Sequence, residues 1–132
     1  FREQSEFTSA EQEVVFLTIS RDNDCHYCVA AHSMLADTMS EVPTAVTDAI
    51  RNDSQISNTK LATLHDFTHH MLTTRGRPSN KAVEDFIEQG YSEKHVLAII
   101  LAISVKILSN YSNHIFDTEV DEIFQSRSWS AS

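Results

Sequence analysis

Apolar residues in this chain fall in runs at helical spacing, separated by short polar breaks that carry capping chemistry. Thr8 with Glu11, or Ser9 with Gln12, has the spacing of a capping box. Val14, Val15, Phe16, Leu17 and Ile19 then carry a first helix to about Arg21. Asp22-Asn23-Asp24 is a polar break rich in N-capping residues. A second helix is expected from about Cys25 to Met39, with Val29, His32, Met34 or Leu35, and Met39 facing inward. Pro43 suits the first turn of a short third helix ending near Arg51. Ser57 or Asn58 caps a fourth, with Leu61, Leu64, Phe67 or Thr68, and Met71 at helical spacing, stopped by Gly76 and Pro78. Residues 80–89 form a fifth, with Val83, Phe86 and Ile87 on one side and Gly90 closing it. Ser92 caps the sixth. Its stretch 96–103 is apolar on all sides, which predicts a central helix covered by its neighbours or by another subunit.

After Asp117 a short amphipathic piece (Val120, Ile123, Phe124) leads into a serine-rich end. The expected organisation is a helical domain over residues 1–125 and a frayed tail over 126–132. Trp129 is costly to leave in water, and docking on a partner subunit would cover it. A faint internal echo at an offset of 84 residues pairs Leu17-Thr18-Ile19-Ser20 and Cys25-His26-Tyr27-Cys28 with Leu101-Ala102-Ile103-Ser104 and Ser109-Asn110-Tyr111-Ser112. It reads either as chance likeness of two apolar helices or as a duplicated helical hairpin.

Composition narrows the choices. The 132 residues suit one domain, and only two glycines and two prolines argue against a turn-rich β design. A net charge of −9 argues against nucleic-acid binding and against an anionic membrane surface. The run 96–103 is far short of the roughly 20 residues of a membrane span. No targeting segment is visible from Phe1 onward, and a cytoplasmic location is expected.

The chemistry centres on Cys25-His26-Tyr27-Cys28-Val29-Ala30-Ala31-His32, which holds the only two cysteines. Two intervening residues let sulfurs meet when the first sits at a helix N-terminus, so a local, reversible disulfide is possible. The thiolate is the reactive form, and a helix N-terminus supplies only about 0.3–1 kcal/mol toward it. His32, one turn after Cys28 on the same helix face, is the candidate base and thiolate partner. Glu13, in the first helix of the hairpin, is the carboxylate expected to orient that imidazole.

Glu13, twelve residues, Cys25-x-x-Cys28, then three residues and His32 resembles the signature of the AhpD-like alkylhydroperoxidases of the carboxymuconolactone decarboxylase superfamily. The likeness extends over residues 8–32, the helix of residues 58–72, and Asn113-His114 through Asp121, as in the peroxidase-related branch. The resemblance implies an all-α, AhpD-like bundle of about six helices that assembles as trimers or hexamers, with the thiols near the base of a cleft. It implies thiol-dependent reduction of an alkyl or hydrogen peroxide without cofactor or metal. By position, Cys28 would attack, His32 would deprotonate it with Glu13 extending the relay, and Cys25 would condense with the sulfenic acid. An external dithiol or a thioredoxin-like reductant would restore the pair. One departure stands out: well-known members have Cys-x-His-Cys, whereas here Tyr27 precedes the second cysteine and the histidine is His26. The superfamily's decarboxylases generally lack the thiol pair, whose presence argues against that activity.

Two readings compete. Cys25, Cys28 and His32 would make three zinc ligands, with a fourth from His65, His69, His70 or His114. Alternatively the disulfide belongs to a disulfide reductase, or is a switch in a redox-linked adaptor protein that does not turn over peroxide.

Overall fold

Thr8 opens the architecture with a complete capping box: its hydroxyl accepts the Glu11 amide, and the Glu11 carboxylate accepts the Thr8 amide. The helix it starts is α1 (Ser9–Asp22) in a computed structural model that describes residues 1–130. Five further helices follow: α2 (His26–Thr38), α3 (Thr44–Asn52), α4 (Thr59–Thr73), α5 (Asn80–Glu88) and α6 (Glu93–Phe116). A 3-10 turn over Glu122–Arg127 ends the chain's regular structure. No strand occurs among the described residues, so the protein is all-α. Asn58, closing on Leu61, and Ser92, paired with His95, cap as expected, whereas the N-cap of α2 is Cys25 itself and none of Asp22-Asn23-Asp24. Pro43 stands one residue earlier than expected, at the N-cap of α3.

The hub of the bundle is α1, which packs against α2, α3, α4 and α6. Every residue from Glu11 to Ser20 is buried, including Glu11, Gln12, Glu13, Thr18 and Ser20. The expectation that α6 is the central helix is therefore corrected. Ala98, Ile99 and Ala102 pack inward, while Leu97, Ile100, Leu101, Val105, Leu108, Tyr111, Ile115 and Phe116 are exposed. By length and composition α6 is long and apolar enough to cross a membrane, as the core helices of globular proteins also can be.

On α2 the inward residues are Val29, Ser33 and Ala36, and Met39 is 74% exposed instead of buried. Small side chains win that face because α2 lies close against α1 and α3. On α4, Leu61, Leu64, Phe67, Thr68 and Met71 are all buried as expected. Phe86 of α5 stacks between Phe67 and Tyr91, whereas Val83 is only half-buried and Ile87 is exposed.

Residues 127–129 are tied down by contacts within the chain. Trp129 donates its indole N–H to the Arg51 carbonyl at 2.9 Å and meets the His26 ring edge-on. Arg127 bridges Asp37 and Asp48, and Arg51 donates to the carbonyls of Arg127 and Ser128. Trp129 thus finds its cover within its own chain. Residues 131 and 132 of the expected tail lie outside the described residues. The internal echo is no duplicated hairpin either, since α6 runs unbroken through Ile107 and Leu108, the counterparts of Asn23 and Asp24 where the first copy turns.

Candidate active site

Cys25 is the N-cap of α2, and its sulfur accepts the Cys28 amide at 3.4 Å. Asp24, at φ 54°, makes the turn, and the Cys25 amide bonds back to the Ser20 carbonyl. This reversal lays α2 against α1 and brings both thiols inside, at 1% and 2% exposure. Both cysteines are free.

Donors converge on the second sulfur. The Asn113 side-chain amide donates to Cys28 Sγ at 3.2 Å and lies only 3.9 Å from Cys25 Sγ. Ser109 Oγ is 3.8 Å from Cys28 Sγ. The Cys25 S–H directed at Cys28 is the strongest influence, and with Lys106, Ser109 and Asn110 it outweighs burial and lowers the Cys28 thiol to about 5. Cys25 moves the opposite way, raised by holding that shared proton and by burial. A helix N-terminus alone, worth about 0.3–1 kcal/mol, supplies less than one pKa unit. The asymmetry between the thiols therefore comes first from the proton that Cys25 holds toward Cys28, and then from Lys106, Ser109 and Asn110 of α6.

Behind the thiols lies a buried hydrogen-bonded chain, Glu13–His32–Lys106. Glu13, 1% exposed, bonds His32 Nδ1 through Oε2 at 2.8 Å and Arg2 through Oε1 at 2.6 Å. Burial raises the Glu13 carboxyl, but these partners prevail and hold it below the usual range. Burial lowers His32, and the Lys106 charge adds to that, so the ring is neutral. A neutral ring donates from Nδ1–H to Glu13 and presents Nε2 as an acceptor. That acceptor is taken by Lys106 Nζ at 2.9 Å. The Glu13–His32 pair thus forms as the spacing predicted, with both ring nitrogens occupied by partners other than sulfur.

Sequence reasoning missed Lys106, Ser109 and Asn113. They sit on one face of α6, spaced three and four residues apart, and the apolar run 96–103 drew attention away from them. Lys106 is the single Asp, Glu, Lys or Arg between Lys94 and Asp117, which was the available signal. The histidine departure is also resolved. Tyr27 donates its hydroxyl to Asp121 at 2.7 Å and packs edge-on to Phe124, while His26 packs on Trp129. Both fasten the C-terminal segment and neither bonds to a sulfur.

The zinc set does not assemble. His65 bonds Thr18, His69 bonds Asp22, and His32 Nδ1 is turned to Glu13. No group of three or more His, Cys, Asp or Glu placed to hold a metal occurs among the described residues.

A cavity of about 200 Å³ reaches Cys25 but is not lined by Cys28; His26, Tyr27, Asn113 and His114 also border it. Asn113 is shared between this cavity and both sulfurs. A larger cavity, about 690 Å³ between the ends of α1 and α4 and the middle of α6, contains neither cysteine.

No known family profile and no curated protein matches the sequence. Among solved structures, an uncharacterized peroxidase-related protein from Silicibacter sp. TM1040 superimposes on 89% of this chain with a TM-score of 0.75 and 14% identity. The chain spans 62% of that protein's length. At this identity the similarity is one of fold: the helices of this chain are arranged as in a peroxidase-related protein.

Proposed function

We propose that the protein reduces peroxides through a Cys25/Cys28 dithiol cycle. The observation that carries this reading is the gathering of polar groups on Cys28, the Asn113 amide at 3.2 Å and Ser109 Oγ at 3.8 Å, with a second free thiol beside it. Cys28 attacks the peroxide oxygen and becomes a sulfenic acid, and Cys25 condenses with it, releasing water. The hydrogen-bonded Glu13–His32 pair lies behind the attacking sulfur and reaches Lys106 without a direct bond to that sulfur. Cys25, which borders the cavity, is the sulfur that an external dithiol or thioredoxin-like reductant attacks to reopen the disulfide.

The cavity beside Cys25 has room for a small peroxide or the end of an alkyl peroxide. The peroxidase-related neighbour supports an enzyme of this broad kind. The exposed apolar face of α6 supports assembly into a homo-oligomer.

Steady-state peroxide consumption with a dithiol donor tests the proposal, alongside mass spectrometry after a dimedone-type trap. Trapped sulfenic acid is expected on Cys28, and Cys28→Ser is expected to abolish turnover. Full turnover by that variant would remove Cys28 as nucleophile. Absence of turnover in the unaltered chain with every donor tried would reject the activity.

A further inference from the structure

The proton relay behind Cys28 has no direct imidazole–sulfur bond. Lys106 Nζ takes His32 Nε2 at 2.9 Å, and the lysine is 6% exposed. It is one turn before Ser109 and two before Asn113 on the α6 face that contacts Cys28. The ionisable groups facing it are Glu13 from α1 and Cys25, Cys28 and His32 from α2. The Phe16 ring lies 5.7 Å away, and the α6 neighbours Ser109 and Asn110 carry no charge. A buried ammonium persists when anions face it, and here those anions are the Cys28 thiolate and Glu13.

We infer that Lys106 is a catalytic residue: its ammonium holds Cys28 as the thiolate and then protonates the oxygen leaving the peroxide. His32 becomes a positioning residue, whose Nε2 aims the lysine while Glu13 fixes the ring. This deepens the peroxidase proposal, and its first half stands without it.

The steps balance. Cys28–S⁻ attacks the terminal oxygen of ROOH, an S–O bond forms, the O–O bond breaks, and sulfur gives two electrons to the peroxide. The alkoxide RO⁻ takes a proton from Lys106–NH₃⁺, leaving Cys28–SOH, ROH and Lys106–NH₂. Cys25–SH then displaces water from Cys28–SOH to form the disulfide. An external dithiol reduces the disulfide, returning one proton to Cys25 and one to Lys106, with Cys28 again a thiolate. Burial lowers the affinity of Lys106 for its proton, which eases the transfer.

The test measures Cys28 alkylation rate against pH, without peroxide, in the full chain and in Lys106→Met, Lys106→Arg and His32→Gln. Lys106→Met is expected to raise the midpoint by at least about one pH unit. Lys106→Arg is expected to keep it within about half a unit, since the cation remains. His32→Gln is expected to move it by less than Lys106→Met does. An unchanged midpoint in Lys106→Met, or a larger shift in His32→Gln, overturns the assignment.

Sulfenic acid formation with peroxide then isolates the acid role. Arginine cannot release the proton, so Lys106→Arg is expected to slow this step at least ~10-fold, within the usual range for a lost general acid. A rate equal to the unaltered chain's overturns the proton transfer. If the unaltered chain consumes no peroxide while the midpoint arm holds, the peroxidase reading and the acid step fail together and the thiolate assignment stands.

Should Lys106→Met not fold, as judged by circular dichroism, the unaltered chain suffices. Its Lys106 ¹⁵Nζ resonance is expected to titrate at least about one unit lower in the disulfide form than in the reduced form, because the thiolate is gone. Equal titrations would overturn the inference.

Discussion

Helices α1 and α6 invert what their sequences advertise. The segment Glu11–Ser20 of α1 mixes glutamates, a glutamine, a threonine and a serine with its apolar residues, yet all of it is buried. α6 is the more apolar, yet it leaves leucines and isoleucines exposed and turns Lys106 and Asn110 inward. Some of these polar residues gather around the thiol pair: the buried Glu13 from α1, and from α6 the buried Lys106 and Asn110 with the half-buried Ser109 and Asn113. The difference teaches that burial here follows bonding partners as much as hydrophobicity. An ionised group stays inside only where another group neutralises it.

The largest effect expected from breaking this contrast is in the apolar part of α1. Leu17→Ala empties a fully buried position at the hub and should cost about 2–5 kcal/mol, read as a lower urea midpoint. A loss under about 1 kcal/mol would show that α1 is not the hub in solution.

Next comes the buried carboxylate. Glu13→Gln leaves the shape but removes the charge facing Arg2, and should cost about 1–3 kcal/mol at neutral pH. The pH dependence gives the sign. Glu13 is depressed in the folded chain, so its stabilisation is present above its ordinary value of 4.5 and is lost as pH falls through the lower folded value. His32 is also depressed, so below its ordinary 6.5 the unfolded chain binds a proton that the folded ring declines, and stability falls there too. Thermal melts at stepped pH should lose the lower decline in Glu13→Gln and keep the upper one.

A smaller effect sharpens the inner face of α6. Asn113→Ala removes one donor from the Cys28 sulfur and should raise its alkylation midpoint from near 5 by about one pH unit. Cys25→Ala removes the strongest influence on that thiol and should raise the midpoint further.

The smallest change in subunit stability belongs to the outer face. Leu108, 73% exposed, should tolerate Leu108→Ser within about 0.5 kcal/mol. If copies of the chain assemble through this face, light scattering of Leu108→Glu should show smaller particles. An unchanged mass would place the interface elsewhere.

Much of this was legible in the chain. Capping residues set the helix starts, because orphan amides have few satisfactory partners and those lie within three residues. The hairpin motif joined Glu13 to His32, since a short turn constrains which residues of adjacent helices face each other. The inward face of α2 was misjudged at Met39, because small residues allow helices to approach where a periodicity count favours large ones.

What the sequence by itself determined was the all-helical class, the two thiols and the pairing within the α1–α2 hairpin, all consequences of local spacing. Only the tertiary structure decided which sulfur is activated and which helix is central. Lys106 is 74 residues from His32, and Asn113 is 85 residues from Cys28. Contacts at that separation depend on how α6 docks against α1 and α2. Electrostatic influence on a thiol depends on distance in space, which local spacing does not encode.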